Sequence, residues 1–238
     1  QQGISVEYLQ PKFDYKSLEK TTVEGKRKYQ TPDGRAVASV TTILGATADK
    51  TALYDWQRRV GKKKAQEVVN EAGGIGTRLH KYIEDYILSG DWIEPGSNPH
   101  AKKAHAMATV IKDRALCDVT EIWGSEVALY MPQLYAGTTD LVGCYKGNPA
   151  IMDFKQANKP KKPEWVEDYY LQLVLYGMAH NELFGTDIRE GHVFMCARNN
   201  TLEPGNEEYQ QFDIWPDEWD DWCHEAWNRV YRYYESQI

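Results

Sequence analysis

Gly137-Thr138-Thr139-Asp140, Ala150-Ile151-Met152-Asp153-Phe154-Lys155 and Tyr169-Tyr170-Leu171-Gln172-Leu173-Val174-Leu175-Tyr176-Gly177-Met178 follow one another closely, and their order decides the fold. Side chains alternate across a strand, so Asp153 and Lys155 share one face of the second stretch while Met152 and Phe154 share the other. Burying Met152 and Phe154 presents an acid and an amine together on the opposite side. Gln172 and Tyr176 are four apart in a stretch with helical patterning and therefore share a helical face. The reading is strand, strand, helix, with two acids, one lysine and two polar groups directed at a common region.

Outward from there, residues 121–130, 134–145 and 149–155 read as three strands, and 164–183 as the helix after them. Strands follow at 189–196 and 207–214, and an amphipathic helix at 217–234. In that helix Trp219, Trp222, Ala226, Val230, Tyr231 and Tyr234 recur near helical spacing, a face for core packing rather than for stacking bases. Upstream, 28–44 reads as a hairpin turning at Pro32-Asp33-Gly34. Residues 52–71 read as a helix broken by Gly73-Gly74-Ile75-Gly76. A second helix runs over 77–88 with Thr77 as its N-cap, and a third over 101–117. Residues 1–27 read as a polar arm with one short element. The expected class is α/β: a central mixed sheet flanked by helices, with an N-terminal helical elaboration. The expected organisation is one domain over 1–238, with the arm, hairpin and helical wall in 1–118 and the core and last helix in 119–238.

Composition sets bounds. The chain has 238 residues, 42% of them hydrophobic, enough for one substantial core. No apolar run approaches the ~20 residues that cross a bilayer, no signal-peptide pattern opens the chain, and a membrane partner is not expected. It begins Gln1-Gln2 without Met, as a trimmed sequence would. A net charge of −7 argues against a non-specific nucleic-acid coat, but not against local basic patches. Two stand out: Arg58, Arg59, Lys62, Lys63 and Lys64, and Lys155, Lys159, Lys161 and Lys162, the second beginning at the acid–lysine strand. Such patches suit sequence-independent contact with phosphates, though a solvated face gives the same pattern. Four scattered cysteines, Cys117, Cys144, Cys196 and Cys223, fit small core residues in a reducing cytosol.

Two acids beside a lysine suit phosphodiester hydrolysis. That reaction needs charge neutralisation on phosphate and a hydroxide at neutral pH, both of which Mg²⁺ or Mn²⁺ provides. Hard cations take oxygen ligands, for which Asp140 and Asp153 are candidates. Lys155 could orient the nucleophile, and Gln172 and Tyr176 could hydrogen-bond a phosphate. Taken alone, an Asp-x-Lys on a strand is ordinarily a surface ion pair, and a helical Tyr ordinarily packs. The ordered combination is what carries information.

In this order the residues resemble the RecB-type branch of the PD-(D/E)XK nuclease superfamily. Gly76-Thr77-Arg78-Leu79-His80 is similar to that branch's Gly-Thr-x-x-His element, and Ser125-Glu126-Val127 to its glutamate-bearing strand. The stretches 29–34 and 39–44, with Leu53-Tyr54-Asp55-Trp56, resemble a narrower group holding the mitochondrial genome maintenance and tailed-phage exonucleases. The resemblance covers residues 28–180. It implies a restriction-endonuclease-like core, with metal held by His80, Asp140, Asp153 and the Phe154 backbone carbonyl. It implies Lys155 as the catalytic lysine, Glu126 (or the nearby Glu121) close to one or two Mg²⁺ or Mn²⁺ ions, and Gln172 and Tyr176 on the DNA backbone. Thr77, Arg58, Lys62 and Lys159 are further candidates for DNA contact. The iron–sulfur cluster of some RecB-type nucleases is not expected, because no Cys-x-x-Cys pair is present. The implied activity is a metal-dependent exonuclease on single-stranded DNA with free ends, leaving 5′-phosphates. Its setting would be the cytoplasm, of a host if phage-encoded, or an organellar matrix, with replication or recombination proteins as possible partners. The competitors are a structure-specific endonuclease on the same core and a non-catalytic DNA-binding module.

Overall fold

The computed structural model describes residues 10–238. The first nine residues of the expected arm lie outside this range. β1 (Glu19–Val23) and β2 (Lys26–Gln30) pair antiparallel through Glu24-Gly25, and β2 pairs with β3 (Ala36–Ala38). The Pro32-Asp33-Gly34 turn joins the second pair as expected, with Asp33 accepting the Arg35 N–H at 3.1 Å. The expected hairpin does not extend to residue 44. The chain enters α1 (Val40–Thr47) instead, because the Ser39 hydroxyl accepts the Thr42 N–H at 3.0 Å. That N-cap outweighs the strand preference of Val40-Thr41-Thr42-Ile43.

The glycine run also departs from expectation. The break falls at Gly61 (φ +87°), between α2 (Thr51–Val60) and α3 (Lys62–Ser89). α3 then continues for 28 residues through Gly73, Gly74 and Gly76. Each helical glycine costs about 1 kcal/mol relative to alanine. Burial of Ile75, Leu79, Ile83 and Ile87 on one stripe, at roughly 1.5–3 kcal/mol each, more than offsets this. Thr77 is therefore not an N-cap; it is mid-helix, and its hydroxyl donates to the Gly73 carbonyl at 2.9 Å. α4 (Pro99–Arg114) is capped by Asn98 and ends three residues earlier than its pattern suggests.

β4 (Val119–Met131), β5 (Tyr135–Tyr145), β6 (Asn148–Ala157), β7 (Gly191–Ala197) and β8 (Glu208–Ile214) form one five-stranded sheet in chain order. β6 and β7 alone run parallel, joined by α5 (Glu167–Phe184) as the crossover. The class is α/β, a mixed central sheet flanked by helices, as expected. α3 and α4 pack Ile75, Leu79, Ile83, Met107 and Ile111 against Met152 and Phe154 on one face. α5, α1 and α6 (Pro216–Glu235) cover the other face, with Leu171, Val174, Trp219 and Val230 against Ile151 and Val193. α6 is thus a packing face, although Tyr233 is buried on it and Tyr231 is exposed. Trp222 stacks on Tyr170 with ring centroids 4.7 Å apart. Cys144 and Cys196 are buried and Cys117 is exposed. Among the described residues no helix is long and apolar enough to cross a membrane.

Residues 10–15 lie along the free edge of β4, where the Gln10 N–H donates to the Ile122 carbonyl at 2.6 Å. Phe13 and Tyr15 then enclose His180 of α5. The Thr186 hydroxyl donates to Asn181 Oδ1, so His180 Nδ1–H donates to Thr186 at 2.7 Å. His180 Nε2 is left to accept the Tyr15 hydroxyl at 2.8 Å. The imidazole is held neutral, and burial pushes it down to about 4. As pH falls the unfolded chain protonates first, so stability declines between about 6.5 and about 4. This decline is worth up to about 3 kcal/mol and should be largely absent in His180→Gln, as read by denaturant melts across that pH range.

Candidate active site

The site forms where the β5–β6 ladder stops. Paired positions run from Tyr145↔Asn148 to Leu141↔Met152 and no further. The next residues to face each other would be Asp140 and Asp153. Here the Phe154 N–H donates to Asp140 Oδ2 at 2.8 Å instead of to a strand carbonyl. The strands separate around a carboxylate. The Phe154 carbonyl lies beside the same carboxylate and accepts from His80 Nε2 at 2.5 Å. That nitrogen is also 3.5 Å from Asp140 Oδ2. His80 reaches the strand because α3 passes close to β6 one turn earlier. A Cβ at Gly76 would stand 3.4 Å from Gln156 Cγ.

On the α5 side, Lys155 Nζ is 2.6 Å from Asp153 Oδ2 and donates to Gln172 Oε1 at 3.0 Å. The contact with Asp153 is off the line a hydrogen bond needs, so this buried oxygen has charge compensation without an aligned donor. Gln172 Nε2 in turn donates to the Tyr176 hydroxyl at 3.4 Å, and Lys155 stands 5.4 Å from the Tyr169 ring centre. Tyr176 is buried against Gly137, where an added Cβ would lie 2.7 Å from the ring. The glycine that opens Gly137-Thr138-Thr139-Asp140 is therefore a packing requirement of Tyr176.

Glu126 occupies β4 across from this point, at φ +51°. A side chain in the left-handed region costs about 1–2 kcal/mol, and such residues gather at functional sites. Burial and the neighbouring Glu84 raise its carboxyl above the usual range, against the pull of Asp140, His80 and Lys20. Glu121, the alternative, instead accepts from the Cys144 thiol at 2.9 Å. Glu84 was not singled out from the sequence; its only signal is its place one turn beyond His80 on α3. Burial and Asp153 hold the Asp140 carboxyl well above its usual range. Burial also opposes ionisation of Asp153, but the charge of Lys155 and the neighbouring Asp140 carboxyl keep it below that range. Burial works against the charge on Lys155, and Asp153 and Asp140 nonetheless raise it.

His80, Glu126, Asp140, Asp153, the Phe154 carbonyl, Lys155, Gln172 and Tyr176 thus converge. Four others do not. Thr77 bonds within its own helix, Arg58 pairs with Asp55, Lys62 lies at the start of α3, and Lys159 lies in the loop beyond β6. Among the described residues no three His, Cys, Asp or Glu side chains already surround one point as a finished cage. The donor set still suits a hard divalent cation: the carboxylates of Asp140, Asp153 and Glu126 outnumber the one ammonium beside them, and a buried Asp153 oxygen lacks an aligned donor.

No family model matches the chain. It is 22% identical over 197 residues to mitochondrial genome maintenance exonuclease 1 of Homo sapiens, covering 78% of this chain and 56% of that protein. It is 22% identical over 223 residues to the protein of the same name in Xenopus tropicalis, covering 86% and 62%. The chain therefore spans about three-fifths of the length of these relatives. A crystal structure from Eubacterium rectale, provisionally designated an exonuclease, aligns over 69% of each chain with a TM-score of 0.44 and 12% identity.

Because the folded state raises the Asp140 carboxyl, its ionisation at neutral pH costs stability. An asparagine there keeps an acceptor for the Phe154 N–H and removes that cost. Asp140→Asn should stabilise the protein in EDTA at pH 7 by roughly 1 kcal/mol or more. An unchanged or lower denaturation midpoint would contradict the electrostatic reading of the site.

Proposed function

We propose that the protein is a metal-dependent nuclease, an exonuclease acting on single-stranded DNA. The observation that carries this reading is the meeting of Asp140, Asp153 and Lys155 at the point where β5 and β6 part. The names of the curated relatives support the exonuclease part of this reading. Asp140, Asp153, the Phe154 carbonyl and His80 would hold Mg²⁺ or Mn²⁺, with Glu126 and Glu84 beside them. When bound, such an ion supplies Lewis acidity toward phosphate and makes hydroxide accessible at neutral pH.

The remaining work belongs to the chain's own groups. Lys155, kept protonated by the two aspartates, sits where its ammonium can orient the attacking water and offset charge growing on the phosphate. Gln172 fixes that ammonium through its Oε1, and Tyr176 fixes Gln172. In-line attack of water on phosphorus breaks the bond to the 3′-oxygen, which takes a proton, and leaves a 5′-phosphate. The dryness of the Tyr176–Gly137 contact keeps this geometry rigid.

Asp153→Ala and Lys155→Ala should each reduce cleavage at least ~100-fold while leaving circular dichroism and melting cooperative. Retained activity in either purified variant rejects the assignment. Linear 5′-labelled, linear 3′-labelled and circular single strands, compared with Mg²⁺, Mn²⁺ and EDTA, test the finer reading. Loss of linear DNA alone supports an exonuclease, and cleavage of the circle supports an endonuclease.

A further inference from the structure

The segment between β6 and α5, Asn158-Lys159-Pro160-Lys161-Lys162-Pro163-Glu164-Trp165-Val166, carries the one tryptophan of the described residues that is more than half exposed, Trp165 at 63%. An exposed indole on a frayed loop would mean little, but this backbone is tied down. The Lys161 N–H donates to Gln210 Oε1 and the Lys161 carbonyl accepts from Gln210 Nε2, both at 2.7 Å. Arg198 Nε donates to Asn158 Oδ1 at 3.0 Å. Pro160 and Pro163 restrict φ, the Trp165 N–H donates to the Lys162 carbonyl at 3.0 Å, and Val166 is buried. The indole is thus held outward on a fixed platform.

Its surroundings are cationic. Lys162 Nζ stands 5.3 Å from the Trp165 ring centre, and Lys159 and Lys161 precede it; the exposed Glu164 is adjacent, while the acids that follow, Glu167 and Asp168, lie against Arg229 at 3.9 and 2.8 Å. Burial disfavours the charge on Lys161, a cost that a phosphate would relieve. The platform is also continuous with the candidate site. Tyr169, one turn beyond Trp165, is the ring beside Lys155.

We propose that Trp165, flanked by Lys159, Lys161 and Lys162, is a base-stacking subsite that holds one unpaired nucleotide of the strand at the mouth of the active site. An aromatic face with lysines beside it recognises any base together with its phosphate, without reading sequence, and requires the base to be unstacked. This deepens the reading above by giving a residue-level reason for a single-stranded substrate, and it rests on that reading.

The test is made without turnover. Oligo(dT) binding in EDTA is followed by tryptophan fluorescence and by anisotropy of a labelled strand. The wild type should show quenching that Trp165→Phe abolishes. Trp165→Ala should weaken binding about tenfold, with Trp165→Phe within about threefold of wild type. An abasic oligonucleotide should show no difference between Trp165 and alanine, which a merely structural role could not produce. No binding, equal binding by Trp165→Ala, or an equal loss on the abasic strand overturns the subsite. If quenching and the alanine effect appear while no substrate is cut with Mg²⁺ or Mn²⁺, the nuclease reading fails and the subsite stands. If DNA is cut with an unchanged KM in Trp165→Ala, the reverse holds.

Discussion

The hydrogen bond from the Phe154 N–H to the Asp140 carboxylate is the constraint on which the site depends. A strand amide needs an acceptor, and its ordinary one would be a carbonyl on β5. Supplying a side chain instead lets the two strands part without leaving a buried donor unsatisfied. The separation brings two acids together, turns the Phe154 carbonyl toward α3, and leaves room beside Asp153 for Lys155. None of the three could be arranged if the ladder of β5 and β6 continued past Leu141 and Met152.

Everything around this point is held from two sides. α3 delivers His80 at mid-helix, and α5 delivers Gln172 and Tyr176 from the crossover that the parallel β6–β7 pair requires. A site carried by rigid helices on both faces of a sheet has little freedom to adjust its distances. Its electrostatics are correspondingly strained: carboxyls that resist ionisation, an ammonium that resists losing its proton, and a glutamate in a left-handed backbone. Such strain is stable only because the two hydrophobic cores, one on each face, determine the backbone independently of the polar groups between them.

The strands and helices of the sheet were legible because each has one buried face, and burial imposes a period of two or of 3.6. The positions of Asp140, Asp153, Lys155, Gln172 and Tyr176 followed from the same alternation. The N-terminal part was less legible for identifiable reasons. Gly73-Gly74-Ile75-Gly76 reads locally as a breaker, but the apolar stripe through Ile75 and Leu79 outweighs local propensity. With the helix continuous, Thr77 loses its expected cap role. Val40-Thr41-Thr42-Ile43 has strand composition, and one serine hydroxyl turns it into a helix. Glu84 was missed because its meaning arises only when α3 lies across β4, a tertiary fact with no local trace. The glycine at 137 was visible, but its reason, the ring of Tyr176, lies far along the sequence and meets it only in the folded chain.

The segment holding Phe13 and Tyr15 has a consequence beyond packing on His180. β4 is the outer strand of the sheet, and its hydrogen-bonding edge is the kind of surface to which another extended chain readily adds. The Gln10 N–H already occupies the Ile122 carbonyl on that edge, and the aromatic pair anchors the segment to α5 beside it. The arm is in this sense a guard as well as a buttress. Wherever it is peeled away, the protein offers a 13-residue strand edge to other extended chains, its own copies included.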